Sequence, residues 1–174
     1  MRIYINPFQP ETIDEAIRKL ESYQKKLEEA AAEIVRQLSL IGYDVAYQVM
    51  STHVYSGETL DSLTIVEESP TKHVLMAGST ALLFFEFGAG LNGYGHPEPQ
   101  GYGPGTYPGK GHWNDPNGWW FPTDDPALAI KYDSEGQGWG HSKGNPPHMP
   151  MYKAERKMRD DLEQVAREVF SQID

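Results

Sequence analysis

Four of the six histidines, His96, His112, His141 and His148, fall in one glycine-rich stretch together with Asp115, Asp124 and Asp133. Imidazole and carboxylate are ordinary ligands of zinc and iron, so this set would support a metal-dependent hydrolase built on His96, His112, His141 and Asp115. The spacing argues against it. No two histidines stand four apart, and no His-Glu-x-x-His run occurs. The plainer reading makes these residues hydrogen-bonding members of loops. Glu86 is a second candidate, because its neighbours Phe85 and Phe87 are of the kind that raise a carboxyl pKa toward general-acid duty. Asp115 or Asp133 could complete a two-carboxylate hydrolase pair with it. The plainer use of Glu86 is to accept hydrogen bonds from the backbone of Gly88-Ala89-Gly90. Tyr94, Tyr102, Tyr107, Trp113, Trp119, Trp120 and Trp139 form a third, aromatic set. It could stack on sugars or bases, anchor a protein interface, or form a small core for its own loop.

Other chemistry is absent from the sequence. There is no Gly-x-Ser-x-Gly, no P-loop and no dinucleotide fingerprint. Gly101-Tyr102-Gly103-Pro104-Gly105 lacks the flanking strand and helix that a phosphate loop needs. With no cysteine, disulfides, thiol chemistry and cysteine-built zinc sites are excluded. Fifteen basic against 25 acidic residues give a net charge of −10, the wrong field for wrapping a phosphate backbone. No run approaches the length of a membrane span, the longest apolar one being Ala81–Phe85. The N-terminal residues carry no signal-peptide pattern. These features lead us to expect a non-secreted, non-membrane protein with no catalytic residue and no cofactor.

The elements that would position these groups follow from periodicity. A chain of 174 residues suits a single domain, 1–174. Over residues 12–50 apolar residues recur at steps of three and four from Ile13 through Leu20, Leu27 and Ile34 to Val49, which predicts one long amphipathic helix. Thr12-Ile13-Asp14-Glu15 has the spacing of a capping box. Gly42 could interrupt the helix; a continuous one would outrun a small domain and need another subunit to cover its far end. Within residues 51–87, Thr64–Glu67 and His73–Ala77 read as antiparallel strands joined at Ser69-Pro70-Thr71. Ser79 could cap a short helix over Ala81–Phe85, although a buried strand fits equally well.

Residues 88–150 hold 14 of the 17 glycines, 10 of the 13 prolines and all four tryptophans. They read as a long ordered loop with a hairpin pairing Trp119-Trp120-Phe121 with Ala129–Tyr132, turning at Asp124-Asp125-Pro126. Residues 151–173 form a second amphipathic helix, with Met151, Ala154, Met158, Leu162, Val165, Val169 and Ile173 on one face. The predicted class is α+β, with helices packed on a small antiparallel sheet. Phe85 and Phe87 are expected to bury on one face while Glu86 points away. Pro147 and Pro150 would fix the start of the last helix, so that Met151 and Ala154 seat against the sheet.

Three segments resemble a known family. Tyr55–Leu63 resembles the Thr-Gly-x-Leu-x-x-Ser-Ile element of a tail-component family of long-tailed bacteriophages, the neck, tail-completion or head–tail joining proteins. Phe84–Gly90 resembles its Val-Glu-Phe-Gly-Thr-Gly element, and Gly144–Ala154 its Pro-x-x-Pro-Met-x-x-Ala element. The order is the family's, in the version found in prophages of Gram-positive bacteria. Ser56-Gly57 departs from the usual Thr-Gly, and the stretch from Leu91 to Asn117 is longer than is usual there. The resemblance implies a non-catalytic structural protein of the virion tail or neck, present in the host cytoplasm during assembly. It would form a hexameric or dodecameric ring and contact neighbouring neck and tail proteins, without specific nucleic-acid binding. The motif residues Gly57, Leu60, Ser62, Glu86, Phe87, Gly88, Pro147, Pro150, Met151 and Ala154 would then be scaffold. Trp113, Trp119, Trp120, Trp139 and the first helix beyond Gly42 would be candidate interface. A carbohydrate or cell-wall binding module using the Trp-rich loop is the alternative that the aromatic set leaves open.

Overall fold

The long helix is a single piece. In the computed structural model, which describes residues 3–53, 57–79, 81–90, 115 and 117–173, α1 runs Pro10–His53 over 44 residues, about 66 Å at 1.5 Å per residue. Pro10 takes the first helical position, where a missing N–H is harmless. The capping box expected at Thr12 does not form, because the helix has already begun two residues earlier. Instead the Thr12 hydroxyl bonds the Gln9 carbonyl at 2.8 Å and the Asn6 carbonyl at 3.0 Å and accepts from the Asn6 amide at 2.9 Å. Glu15 turns to Lys19 at 2.6 Å.

Gly42 does not interrupt α1; it admits a neighbour. A Cβ there would lie 2.7 Å from Met158 Sδ of α4 (Pro150–Phe170), so the missing side chain sets how closely the two helices approach. They run antiparallel. Ala46 and Met50 share a core with Ala154, while Ala30, sixteen to twenty residues earlier, shares one with Val165 and Val169. The first core is closed by Leu63 and Leu82, which belong to β1 (Leu63–Ser69) and α3 (Ala81–Phe87). Ala154 thus sits in a core shared by α1 and the hairpin, with Leu63 inside it and Leu75 and Ala77 packed against it.

Between α1 and β1 lies the short helix α2 (Gly57–Asp61). β1 pairs antiparallel with β2 (Lys72–Ala77) through a Pro70-Thr71 turn, as the pattern predicts. Ser39, buried on α1, ties this hairpin down through its hydroxyl, 3.0 Å from His73 Nδ1. The ambiguous Ala81–Phe85 segment is helical, with Ser79 accepting from the Ala81 amide at 3.2 Å.

The tryptophan hairpin differs from expectation. β4 (Trp119–Thr123) pairs not with the segment after the Asp125 turn but with β6 (Gly138–Ser142), and β5 (Lys131–Tyr132) lies on the far side of β6. The reason is steric. Phe121 pairs with Gly140 and covers it so closely that a Cβ there would meet the ring at 2.5 Å. The glycines that hide β6 from a propensity reading therefore make room for the bulky residues of β4. A two-stranded pairing of β3 (Ala89–Gly90) with β7 (Gly144–Asn145) completes an α+β architecture. Among the described residues no helix is long and apolar enough to cross a membrane.

Candidate functional site

The motif residues converge on the joint between α3 and α4. A helix begins with four backbone amides that lack intrahelical partners. At α4 the N-cap is Met149, in a left-handed conformation (φ 58°, ψ 48°) with no side-chain cap. Glu86 takes over that task from 65 residues away. Its Oε2 accepts from the Met151 amide at 2.8 Å and its Oε1 from the Tyr152 amide at 3.0 Å, in a site where Glu86 is only 8% exposed. A carboxylate also suits the positive end of the helix dipole. Glu86 therefore points inward, not away, and it caps α4.

The rest of the joint is made by backbone. The Phe85 carbonyl accepts from the His148 amide at 2.7 Å and the Met149 amide at 3.2 Å, and the Phe84 carbonyl accepts from the Gly88 amide at 2.9 Å. Asn145 Nδ2 donates to that same Phe84 carbonyl at 2.8 Å. Gly144, at φ +94°, lies so close to β3 that a Cβ would fall 1.6 Å from the Ala89 carbonyl oxygen. Pro150 is fully buried, while Pro147, Met151 and Phe87 are half-buried.

Upstream, Thr59 is 2% exposed and its hydroxyl lies 3.0 Å from that of Ser79. Ser62 donates to the Thr59 carbonyl at 2.7 Å, and Leu60 packs on the first core. Gly57 opens α2.

The described histidine and aspartate candidates do not assemble into a metal site. Among the described residues no group of three His, Asp or Glu side chains could hold a metal ion. His96 and His112 lie outside the described residues. His148 stacks on His53 at 3.9 Å between ring centroids, and burial, with the His53 and Lys153 charges, lowers its pKa from the ordinary value. Asp115 holds the Asn117 amide at 2.8 Å in a local turn.

The aromatic candidates divide by face. Trp119 is half-buried, with its ring against Gly90, where a Cβ would sit 3.0 Å from it. Trp120 faces outward and is 44% exposed. Register places Trp120 opposite His141, and Pro122 and Lys131 either side of Trp139, so these five residues share the outer face of the sheet. His141 packs on Trp120 at 4.7 Å, and the Lys131 ammonium lies 3.8 Å from the Trp120 ring centroid.

Asp133 is bound to that edge. It accepts from the Trp139 indole N–H at 3.0 Å and from the Glu135 and Gln137 amides at 3.0 Å each. Those bonds, the indole's first, lower its pKa from the usual carboxylate value. Trp120, Lys131, Tyr132, Asp133 and Trp139 line a cavity of about 420 Å³. Sequence reasoning read Lys131 and Tyr132 only as strand residues of the hairpin and gave them no part in a site. Trp113, Tyr94, Tyr102 and Tyr107 lie outside the described residues, as does the 91–117 stretch apart from Asp115 and Asn117. No protein-family model, no curated protein and no solved structure matches the chain.

Proposed function

We propose that the protein is a non-catalytic structural component of a bacteriophage tail or neck, acting in tail completion or head–tail joining as one subunit of a ring. The observation that carries this reading is the first half of α1, where Ala16 is buried but Ile13, Ile17, Leu20 and Leu27 remain 38–53% exposed. Among the described residues, no core cluster reaches back along α1 beyond Ala30. The preceding 20 residues, about 30 Å of helix, nevertheless continue the apolar stripe. Ile13, Ala16, Leu20, Tyr23, Leu27, Ala30 and Ile34 alternate steps of three and four, the seam of a coiled coil. A seam of this kind is satisfied by another helix, and a second copy of the chain supplies one.

Two further points support the reading. The residues carrying the phage-family resemblance, Glu86 and Pro150 foremost, serve the architecture of the α3–α4 joint. The net charge of −10 suits a ring whose channel DNA must cross without adhering. Deleting the gene from its phage genome and imaging the induced lysate tests the proposal. Filled heads and free tails lying separate are the expected result, and normal infectious particles would overturn it.

A further inference from the structure

We propose that the outer face of the β4–β6–β5 sheet is a saccharide-binding site, with the Trp120 ring as its stacking floor and Lys131 and Asp133 as its hydrogen-bonding wall. This goes beyond the structural role above and does not depend on it. A sugar ring has two kinds of surface: a face of C–H bonds that lies well on an aromatic ring, and an edge of hydroxyls that both donate and accept. The sheet offers a counterpart to each. Trp120 (44% exposed) and Tyr132 (61% exposed) line the opening of the 420 Å³ cavity, beside the half-buried Trp139. That volume lies within the roughly 300–1,000 Å³ usual for small-ligand sites.

The polar groups are complementary. Lys131 only donates, and Asp133, as a carboxylate, only accepts. A pair of neighbouring hydroxyls can answer both at once. Asp133 is fixed beforehand, since about four acceptor directions are available to a carboxylate and three are taken by the Trp139 indole and two amides. The remaining one lies on the oxygen that bonds Trp139, a lining residue. The Lys131 ammonium lies over the Trp120 ring, so a sugar that stacks there takes the place of that contact, and His141 packs against the ring.

Other ligands fit less well. A nucleotide would bring phosphate to a chain of net charge −10. A protein partner of ordinary affinity needs about 800 Å² from each side, far more than this compact concavity presents. A proline-rich peptide would use the aromatic floor but leave the Lys131–Asp133 pair without matched groups.

The test uses the full chain labelled with ¹⁵N and titrated in separate arms with cellotriose, chitotriose and a polyproline peptide, reading the indole N–H resonances. We expect at least one sugar to shift the Trp120 and Trp139 signals saturably while Trp119 stays still. Trp120→Ala is expected to weaken binding about tenfold or more. Lys131→Met, which leaves the aromatic floor in place, is expected to weaken it less, with an unchanged circular dichroism spectrum. No shift with either sugar at millimolar concentration, shifts spread over all the indoles, or saturation by the peptide alone would each overturn the proposal.

Discussion

Ile13, Leu20 and Leu27 in the first half of α1 are 41%, 53% and 38% exposed, whereas Ala46 and Met50 in the second half are fully buried. Both halves draw on the same residue types at similar spacing. The difference lies in period and partner. Up to Ile34 the steps alternate three and four, averaging 3.5 residues per turn, the repeat that keeps a seam facing a second helix. From Ile34 to Val49 the steps are four, three, four and four, a longer repeat that no longer follows a coiled-coil seam, and there α4 and the β1–β2 hairpin supply the cover. One helix thus has a packed half and, Ala16 apart, a half whose apolar stripe is largely exposed among the described residues.

The sharpest way to break that comparison is in the packed half. Met50→Ala removes a fully buried side chain from the first core and is expected to cost about 2–5 kcal/mol in urea-unfolding experiments. A cost under about 1 kcal/mol would mean that this half is no better covered than the other. Next comes the cap that joins α3 to the start of α4. Glu86→Ala leaves the Met151 and Tyr152 amides without their carboxylate and is expected to cost about 2 kcal/mol. Glu86→Gln keeps one acceptor oxygen and should recover about half of that loss. Equal stability of the alanine variant and the parent would remove the cap from the account. Gly42→Leu places a side chain where Met158 lies, for an expected loss of about 1–3 kcal/mol, read by the same unfolding curves.

Acidity acts on the same joint from the His148 side. Folded His148 binds its proton less readily than an unfolded histidine, chiefly because it is partly buried and then because His53 and Lys153 stand near it. Below pH about 6.5, therefore, the unfolded chain takes up the proton first, and stability falls as the pH falls toward the folded pKa. Above that pH the contribution is fully present. His148→Asn should flatten this part of the stability–pH profile; an unchanged slope would exclude His148 as its source.

What the sequence disclosed tracks what is local. α1, α4 and the β1–β2 hairpin were legible because their periods are written in consecutive residues, and Pro70 marks its turn. The Glu86 cap was not, since it joins residues 65 positions apart. Its one local trace is negative: Met149, not Ser, Thr, Asp or Asn, precedes Pro150, so α4 had to find its cap elsewhere. β6 was hidden by Gly138 and Gly140, whose low strand propensity outweighed the alternation of Trp139 and His141. With β6 unseen, nothing placed Trp139 between the strands of Trp120 and Lys131.

The smallest expected effect on stability is the most telling about assembly. Leu20→Ser in the first half removes an apolar side chain that is already 53% exposed, so in dilute solution the unfolding free energy should move by no more than about 0.5 kcal/mol. Sedimentation velocity at rising concentration should behave oppositely, because a hydroxyl at a seam position weakens helix pairing directly. The parent would then form the larger species while the variant stays small. A Leu20→Ser variant that loses as much stability as Met50→Ala, at every concentration, would mean that the chain covers this seam itself. The two halves of α1 would then differ in period alone.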